Sequence, residues 1–467
     1  MQTIGIVFGN RDFFPDFLVT EARKDVIALC KESNINPIML DDKETKLGGV
    51  ETYQDAQKCA DLFKAASDTI EGILVVLPNF GDEKGVADTI RLSGLSCPVL
   101  VQAYPDELSK LAPATRRDGF CGKISVCNNL RQYGIAYTLT TRHVDAIDSD
   151  SFRADFARFT SVCRVVARMR RVRLGAVGAR PSAFNTVRYS EKILEANGVS
   201  VATVDLSEIF ASIGKLQDED SKVTSEMERI SNYASTRLVT KEKLATMAKL
   251  GVVLRDWSNE NSVDALAFQC WTSIQTNIGI NPCTVMSMLS EEMIPAACEV
   301  DVTGVLTMYA MQYAAGTPAG IVDWNNNYAD DDNKCVFFHC GNWAKSLMGG
   351  EASVCTAPIL GTTTGEENTV GALEGRSPQG PMTFARLSTD DTSGMIRAYL
   401  GEGEFTNDAL ETFGTRAVVA VPNLQGLMHH ICTYGFEHHV VMTRSHTAGV
   451  LKEAFGNYLG WSTYVHS

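Results

Sequence analysis

The sequence feature that most constrains the fold is a series of short, uninterrupted apolar runs separated by helical stretches. Residues 4–9, 72–77 and 98–102 are apolar without polar alternation, and residues 18–33 and 54–66 carry the spacing of amphipathic helices. Apolar runs of this kind are typical of parallel strands that helices cover on both faces. The beginning of the chain is therefore predicted to form a doubly wound α/β domain.

The same alternation restarts after residue 170. Residues 174–177 and 199–204 are predicted strands, and residues 183–196 are predicted to form the helix between them. After about residue 330, short strands are separated by Gly, Thr, Asp and Asn, which is typical of an antiparallel, barrel-like β domain. The predicted fold class is α/β, with two doubly wound parallel-sheet domains followed by a β-rich barrel-like C-terminal domain. The predicted domains are residues 1–170, 171–325 and 326–467.

Composition excludes several classes of partner. The 467 residues carry a net charge of −14, which argues against a nucleic acid or an anionic membrane as the main partner. The apolar runs are too short to span a bilayer. Met1 leads straight into a strand rather than a secretory leader, so we expect a cytoplasmic protein whose 13 cysteines are free thiols.

Two carboxylates and one histidine are the leading site candidates. Glu299 and Asp323 stand 24 positions apart (323 − 299), each directly after an apolar run, and His438 lies far downstream. Two oxygen ligands and one imidazole suit a divalent ion such as Mn²⁺. Each residue also has a structural interpretation: Glu299 as an acid at a helix N-terminus, Asp323 as a turn cap, and His438 as a buried, hydrogen-bonded histidine.

Further polar residues are candidates for substrate binding. Asn79 and Arg11 follow predicted strands, where ligands of open α/β sheets gather. Lys123 and Asn128 are predicted on a glycine-bearing loop, where they could bind substrate or serve an interface. Trp271 could stack on a sugar face or fill the core.

A nucleotide cofactor is not expected. The segment Gly178-Ala-Arg180-Pro is the most tempting phosphate loop in the chain. It has neither the GxGxxG pattern nor the GxxxxGK[ST] pattern that cradle phosphates.

From about Ile73 to Gly460 the chain resembles the L-fucose/L-arabinose isomerase superfamily, and most closely its fucose-isomerase-like proteins. The stretches that carry the resemblance are Leu77-Pro-Asn-Phe-Gly-Asp-Glu83, Cys121-Gly-Lys-Ile-Ser-Val-Cys-Asn-Asn129, Gly178-Ala-Arg-Pro-Ser-Ala-Phe-Asn-Thr-Val-Arg188, Gln269-Cys-Trp271, Cys298-Glu-Val-Asp-Val-Thr-Gly304 and the late His438 block. The resemblance implies two α/β domains followed by a β-rich domain, in agreement with the patterns above.

The resemblance also implies a metal site. In fucose isomerases a Glu, an Asp 24 positions later and a His in a late Gly-x-x-His sequence hold the ion, which corresponds here to Glu299, Asp323 and His438. Those enzymes have Asn before the His, whereas this chain has Glu437, so Glu437 is predicted to contact the substrate. Related arabinose enzymes use a further histidine, for which His339 and His446 are the candidates.

The implied activity is aldose–ketose isomerisation through a cis-enediol, with Glu299 and Asp323 as both ligands and acid–base groups. Which carboxylate is the base stays open. The substrate is either a fucose- or arabinose-like sugar or a C6-modified hexose such as sulfoquinovose, whose sulfonate could bind Arg11, Lys123, Arg180 or Arg188. A homo-oligomer, trimer or hexamer, is also implied. The alternative function is a non-catalytic sugar-binding protein of the same fold, which would need no metal.

Overall fold

A computed structural model describes residues 1–350 and 352–467. The chain forms two compact units, the first built from Met1–Ala167 with Asn457–Gly460 and the second from Arg168–Gly456 with Trp461–Ser467. Within the described residues, no helix is both long and apolar enough to cross a lipid bilayer.

The first unit is organised around one parallel sheet. Its strands are β1 (Gln2–Gly9), β2 (Ile35–Ile38), β3 (Gly49–Val50), β4 (Ile70–Leu77), β5 (Val99–Ala103) and β6 (Thr138–Leu139). Its helices are α1 (Phe17–Glu32), α2 (Tyr53–Ala65), α3 (Glu83–Ser93), α4 (Gly119–Gln132) and α5 (Asp150–Met169). The strand order is β2-β1-β4-β5-β6, with β3 beside the end of β1, and these pairings are parallel.

Alternate residues of the central strands face two separate cores. One core contains side chains of α1 and α5, including Val26 and Phe156. The other contains side chains of α2 and α3, including Phe63 and Val86. Because helices cover both faces, β1 and β4 are almost entirely buried. The predicted parallel α/β sheet is therefore confirmed.

The second unit begins with a smaller parallel sheet. Its strands are β7 (Arg173–Val177), β8 (Ser200–Val204), β9 (Ala265–Phe268) and β10 (Ala296–Ala297), in the order β10-β9-β7-β8. The helices of this part are α6 (Glu191–Ala196), α7 (Leu206–Lys215), α8 (Ser221–Tyr233), α9 (Lys241–Glu260), α10 (Ser273–Ile278), α11 (Cys283–Glu291) and α12 (Val302–Ala315). The pairings of these strands are parallel, as the sequence predicts.

A large, mostly antiparallel sheet follows. Its strands are β11 (Gly320–Asn327), β12 (Lys334–His339), β13 (Ser353–Cys355), β14 (Ala372–Arg376), β15 (Gly380–Asp390), β16 (Met395–Thr406), β17 (Thr415–Ala420), β18 (His439–Thr443) and β19 (Ser462–Val465). The accompanying helices are α13 (Pro358–Thr364), α14 (Leu424–Tyr434) and α15 (Ala448–Lys452). The path β17-β12-β11-β18-β15-β16 returns to β17 through a β16–β17 pairing. The barrel-like arrangement stays a prediction, which this ring of pairings supports.

The two sheets of the second unit share one hydrophobic core. Val177 and Phe268 of the parallel sheet belong to the same buried cluster as Phe337 and Met442 of the large sheet. Side chains from both sheets thus pack into one hydrophobic core. The division of this unit at residue 325 stays a prediction.

The predicted helix over residues 183–196 is wrong in its first half, because α6 begins only at Glu191. The residues before it form a loop that is held at both ends. The amide of Ala179 donates to Gln269 Oε1 at 2.8 Å, and the amide of Ser190 donates to Thr389 Oγ1 at 2.9 Å. These hydrogen bonds to other elements outweigh local helix propensity.

The predicted loop around Lys123 and Asn128 is also wrong, because both residues lie within α4. The glycines that suggest a loop serve close packing instead. A Cβ at Gly122 would collide with the backbone of Phe80, and one at Gly119 with the carbonyl oxygen of Tyr104. Glycine lets the helix backbone approach these segments, which a larger residue would push away.

Candidate active site

Glu299 is held in an unusual backbone conformation just after β10. Glu299 and Val300 have φ values of 57° and 55°, in the left-handed region that L-residues rarely adopt. Each such residue costs about 1–3 kcal/mol, a strain that concentrates at functional sites. The N-cap of α12 is Asp301, whose carboxylate accepts from the amide of Gly304 at 2.8 Å. Asp301 therefore caps this helix, and the buried Glu299 carboxylate does not.

Asp323 and the late histidines meet through strand pairing. Asp323 on β11 lies opposite His439 on β18 in the antiparallel register. His439 Nε2 is 3.4 Å from Asp323 Oδ1 and 3.6 Å from Glu299 Oε2. His438 Nε2 is 3.5 Å from Asp323 Oδ1, and its side chain is 41% exposed against 1% for His439. The structure thus brings Glu299, Asp323 and His438 to one place, with His439 between the two carboxylates.

A further histidine completes the cluster. His339 ends β12, and its Nε2 lies 3.6 Å from Glu299 Oε2. Two groups that contain histidine each bring their ligand atoms within 4.8 Å of one another: Glu299, His339 and His439 form one, and Asp323, His438 and His439 form the other. His446, the other candidate for additional ligation, is exposed and belongs to neither group.

A buried charge network lies behind His439. Its Nδ1 is 2.8 Å from Asp301 Oδ2, and Arg386 donates to both oxygens of that carboxylate at 2.6 and 2.9 Å. The same guanidinium lies 3.2 Å from Glu437 Oε2, and Ser388 donates to Glu437 Oε1 at 2.9 Å. A carboxylate at Nδ1 fixes the ring so that Nε2 points at Glu299 and Asp323. The partners of Glu437 are therefore Arg386 and Ser388, and its predicted sugar contact stays a prediction.

The histidines and Arg386 favour ionised carboxylates at this place. Burial raises the pKa of Glu299, but the neighbouring imidazoles of His339 and His439 outweigh it and lower this pKa from 4.5 to about 2. Burial opposes ionisation of Asp301 as well, yet Arg386 and His439 hold its pKa well below the usual range. Burial and the charge of His439 lower the pKa of His438.

The donor atoms fit a divalent cation. Among the residues that the structure describes, Glu299 Oε2 and Asp323 Oδ1 are buried oxygens without a hydrogen-bond partner, whereas buried polar atoms in proteins are nearly always paired. Both face the same imidazole nitrogen of His439. Carboxylate oxygens with imidazole nitrogen are a donor set for Mn²⁺ and related ions. Glu299, Asp323 and His439 are thus the residues that would hold such an ion, with His339 and His438 beside them.

Aromatic side chains line the same place. The indole of Trp271 donates to Glu299 Oε1 at 3.0 Å, so this side chain positions the carboxylate. Phe184, from the loop before α6, makes edge contacts with Trp271 and His438 at ring-centroid distances of 5.5 and 5.4 Å. The loop that replaces the predicted helix therefore places the Phe184 ring against His438.

Four predicted substrate residues lie in the first unit, whereas the cluster above lies in the second. Arg11 pairs with Glu83 and donates to the carbonyl of Gly81 at 3.0 Å. Asn79 is buried and donates to Asn10 Oδ1 at 2.5 Å. The substrate roles of both residues stay predictions.

The other two residues are on α4. Lys123 is buried and donates to Thr140 Oγ1 at 2.5 Å and to the carbonyl of His143 at 2.8 Å. Burial lowers the pKa of Lys123 to about 8. Asn128 is exposed on the same helix. Their roles in substrate binding stay predictions too.

Sequence reasoning missed His439, Asp301, Arg386 and Phe184 as parts of the site. Asp301 follows Glu299 by two positions in a stretch that already carried the family resemblance, and His439 is the immediate neighbour of His438. Phe184 stands inside another such stretch. Arg386 has no local signal, because its role depends on contacts with residues 85 and 51 positions away (386 − 301 and 437 − 386).

Comparisons with known proteins agree with this geometry. Residues 5–170 match the family model described as the fucose/sulfoquinovose isomerase N-terminal domain, and residues 337–466 match the L-fucose isomerase C-terminal domain. Proteins named sulfoquinovose isomerase from Priestia aryabhattai and Priestia megaterium are each 25% identical over 68% of this chain and 70% of their own length. The sulfoquinovose isomerase of Alkalicoccus urumqiensis is 24% identical over 63% of this chain and 66% of its own length.

The matches cover both ends of the chain, and the second ends one residue before the carboxyl terminus. The residues that match the C-terminal family model include His339 and His439, which share a possible metal-binding group with Glu299. The relatives are enzymes, so the alternative of a non-catalytic sugar-binding protein is not favoured. The chain belongs to the fucose isomerase-like proteins and is an isomerase.

Proposed function

We propose that this enzyme interconverts the aldose and ketose forms of a sugar with the help of a divalent cation, Mn²⁺ or a similar ion, held by Glu299, Asp323 and His439. The observation that carries the proposal is a pair of buried oxygens, Glu299 Oε2 and Asp323 Oδ1, which lie 3.6 and 3.4 Å from His439 Nε2. Neither oxygen has a hydrogen-bond partner within the described part of the chain. When bound, the cation supplies Lewis-acid polarisation of the sugar carbonyl.

Two contacts favour His439 over His438 as the imidazole ligand. His439 reaches both carboxylates, whereas His438 reaches Asp323. Asp301 also bonds His439 Nδ1, an outer contact that metal-binding histidines commonly have. His438 is the more exposed ring, and it is proposed to face the sugar.

The two carboxylates differ in surroundings, and this difference suggests their roles. The Glu299 side chain is 5% exposed and bonds the Trp271 indole, so it is held as a fixed anion. The Asp323 side chain is 23% exposed, which gives it access to a substrate. We assign to Asp323 the removal of the proton from C2 of the aldose and its return to C1 of the enediol. The hydroxyl proton on O2 passes to O1, so that the isomerisation is balanced without another reactant.

Sulfoquinovose is the proposed sugar, with a fucose- or arabinose-like sugar as the alternative. The relatives reported above are named for sulfoquinovose. Arg180 and Arg188 flank Phe184 on the loop at the cluster, and within the described residues neither guanidinium pairs with a carboxylate. An arginine can bind a sulfonate through two parallel hydrogen bonds, as it does a carboxylate or phosphate.

The decisive experiment assays the purified protein after chelation and after adding back Mn²⁺. Sulfoquinovose, L-fucose and D-arabinose are incubated in D₂O, and the ketose and solvent-derived deuterium are followed by NMR. We expect turnover that requires the cation and that places deuterium beside the carbonyl. Full activity in metal-free protein, or turnover without solvent exchange, would contradict the proposed chemistry.

Variants separate the roles of the residues. Asp323→Asn should abolish turnover, while Asp332→Asn removes an exposed carboxylate before β12 and should leave it unchanged. Arg180→Ala and Arg188→Ala should raise KM for sulfoquinovose and spare a sugar without a sulfonate. Equal effects on both sugars would remove these arginines from sulfonate binding.

Substrate contacts by Arg11, Asn79, Lys123 and Asn128, and a homo-oligomeric assembly, are retained as proposals from the family resemblance. Sedimentation measurements would test the assembly. Lys123→Met with unchanged KM would remove that lysine from the site.

A further inference from the structure

Four thiols form a connected cluster beside the candidate active site. We call Cys270, Cys283, Cys298 and Cys340 the thiol cluster. The Sγ atoms of Cys270 and Cys298 lie within 4.8 Å of each other, and interactions with Cys298 and Cys340 lower the pKa of the Cys283 thiol. The first three are at most 1% exposed. These buried thiols therefore lie close together inside the second unit.

Both ends of the thiol cluster touch residues of the active site. Cys270 Sγ lies 3.5 Å from Glu299 Oε1, and Cys340 Sγ lies 3.7 Å from His339 Nδ1. The two oxygens of the Glu299 carboxylate thus face different groups. Its Oε2 faces the imidazoles of His339 and His439, and its Oε1 faces sulfur.

We infer that Cys270, Cys298 and Glu299 form a second metal site, selective for thiophilic divalent ions such as Cd²⁺ or Zn²⁺, whose occupation inhibits the enzyme. The ligand atoms of these three residues lie within 4.8 Å of one another, so one ion can reach all three. Thiolate sulfur prefers soft ions, whereas the imidazole–carboxylate side accepts Mn²⁺. Three protein ligands leave a fourth position, as in many zinc sites.

The chemistry of binding is a proton exchange. Each coordinating thiol becomes a thiolate and releases its proton to solvent as the ion binds. The two thiolates and the Glu299 carboxylate bring three negative charges, which the ion offsets in part. No oxidation or reduction takes place.

Inhibition follows from the shared ligand. An ion on the sulfur side competes with the Trp271 indole for Glu299 Oε1, a bond that is 3.0 Å long. Losing that bond frees Glu299 to turn away from His439. The thiophilic ion would thereby remove Glu299 from the proposed Mn²⁺ site without binding there itself.

The direct test is X-ray absorption spectroscopy of the full-length wild-type protein loaded with Cd²⁺ in the presence of excess Mn²⁺. We expect two sulfur neighbours around the cadmium, together with a thiolate-to-cadmium absorption band. A cadmium environment of oxygen and nitrogen atoms alone would overturn the inference. This measurement needs no variant.

Variants identify the sulfur atoms. Cys270→Ala and Cys298→Ala should each lose the absorption band and become less sensitive to inhibition by Cd²⁺. Cys335→Ala removes another buried thiol of the same unit, outside the thiol cluster, and should keep both. An unchanged band in the Cys270→Ala, Cys298→Ala double variant would refute the assignment. Cys270→Ser provides a near-isosteric replacement if alanine disturbs folding.

The inference rests on the proposed function only for its inhibitory effect. Sulfur coordination is measured on cadmium itself, whether or not a sugar is turned over. A protein that binds cadmium through sulfur but isomerises none of the three sugars would refute the proposed substrate class and leave the second site standing.

Discussion

Arg386 is the residue whose replacement tests the site architecture most sharply. It is fully buried, donates to both oxygens of Asp301, donates to Thr303 Oγ1 at 2.8 Å, and lies 3.2 Å from Glu437. Arg386→Met retains much of the side-chain volume but removes the charge. Two buried carboxylates then lose the cation between them.

The expected cost is large. Removing one partner of a buried ion pair costs about 3–5 kcal/mol, because the remaining charge is left without a partner. For a folding unit of a few hundred residues, that loss lowers the melting temperature by roughly 6–20 °C. Adding Glu437→Gln should restore part of the stability, since one of the two unpaired carboxylates disappears.

The assay is urea unfolding followed by circular dichroism, with metal-free protein. Arg416→Met is the matched control, because Arg416 pairs with the half-exposed Glu374 at 3.2 Å. Pairs exposed to solvent contribute about 0–1 kcal/mol. A loss of unfolding free energy in Arg386→Met no larger than in this control would refute the role of Arg386. A further loss of stability on adding Glu437→Gln would refute it as well.

Three other outcomes are expected. The pKa of Glu299 is lowered from its ordinary value of 4.5 to about 2, so the ionised carboxylate stabilises the metal-free fold at pH values above 4.5. This contribution is lost as the pH falls from 4.5 toward 2. The stability of Glu299→Gln should therefore depend less on pH across that window than the stability of the wild type, as measured by acid unfolding. His439→Ala should weaken Mn²⁺ binding, measured by electron paramagnetic resonance, more than His438→Ala does; the reverse order would restore His438 as the ligand. Phe184→Ala should raise KM about two- to tenfold, since Trp271 loses its edge partner; an unchanged KM would separate this ring from sugar binding.

Local patterns in the sequence determined much of the fold. Uninterrupted apolar runs predicted β1, β4 and β5, and the structure contains them within two residues of the predicted bounds. These strands are buried on both faces, so their pattern needs no knowledge of distant partners. The family resemblance and the 24-residue spacing likewise pointed to Glu299 and Asp323, which the structure brings to the same histidine.

Long-range contacts decided what local patterns could not. Gly122 suggested a loop, yet Gly119 and Gly122 allow α4 to pack closely against segments that are distant in sequence. The segment before α6 is a loop rather than an α-helix, and Gln269 and Thr389 bond its two ends.

Long-range contacts also determine which side chains meet in the candidate active site. The sequence alone determined that two carboxylates and a late histidine block belong together. That His439 lies between Glu299 and Asp323, with Asp301 and Arg386 on its other side, follows from the folded arrangement of the strands. The physical reason is that strand register sets which of two adjacent histidines faces the carboxylates, and register is fixed by β11 and β18 pairing across more than a hundred residues.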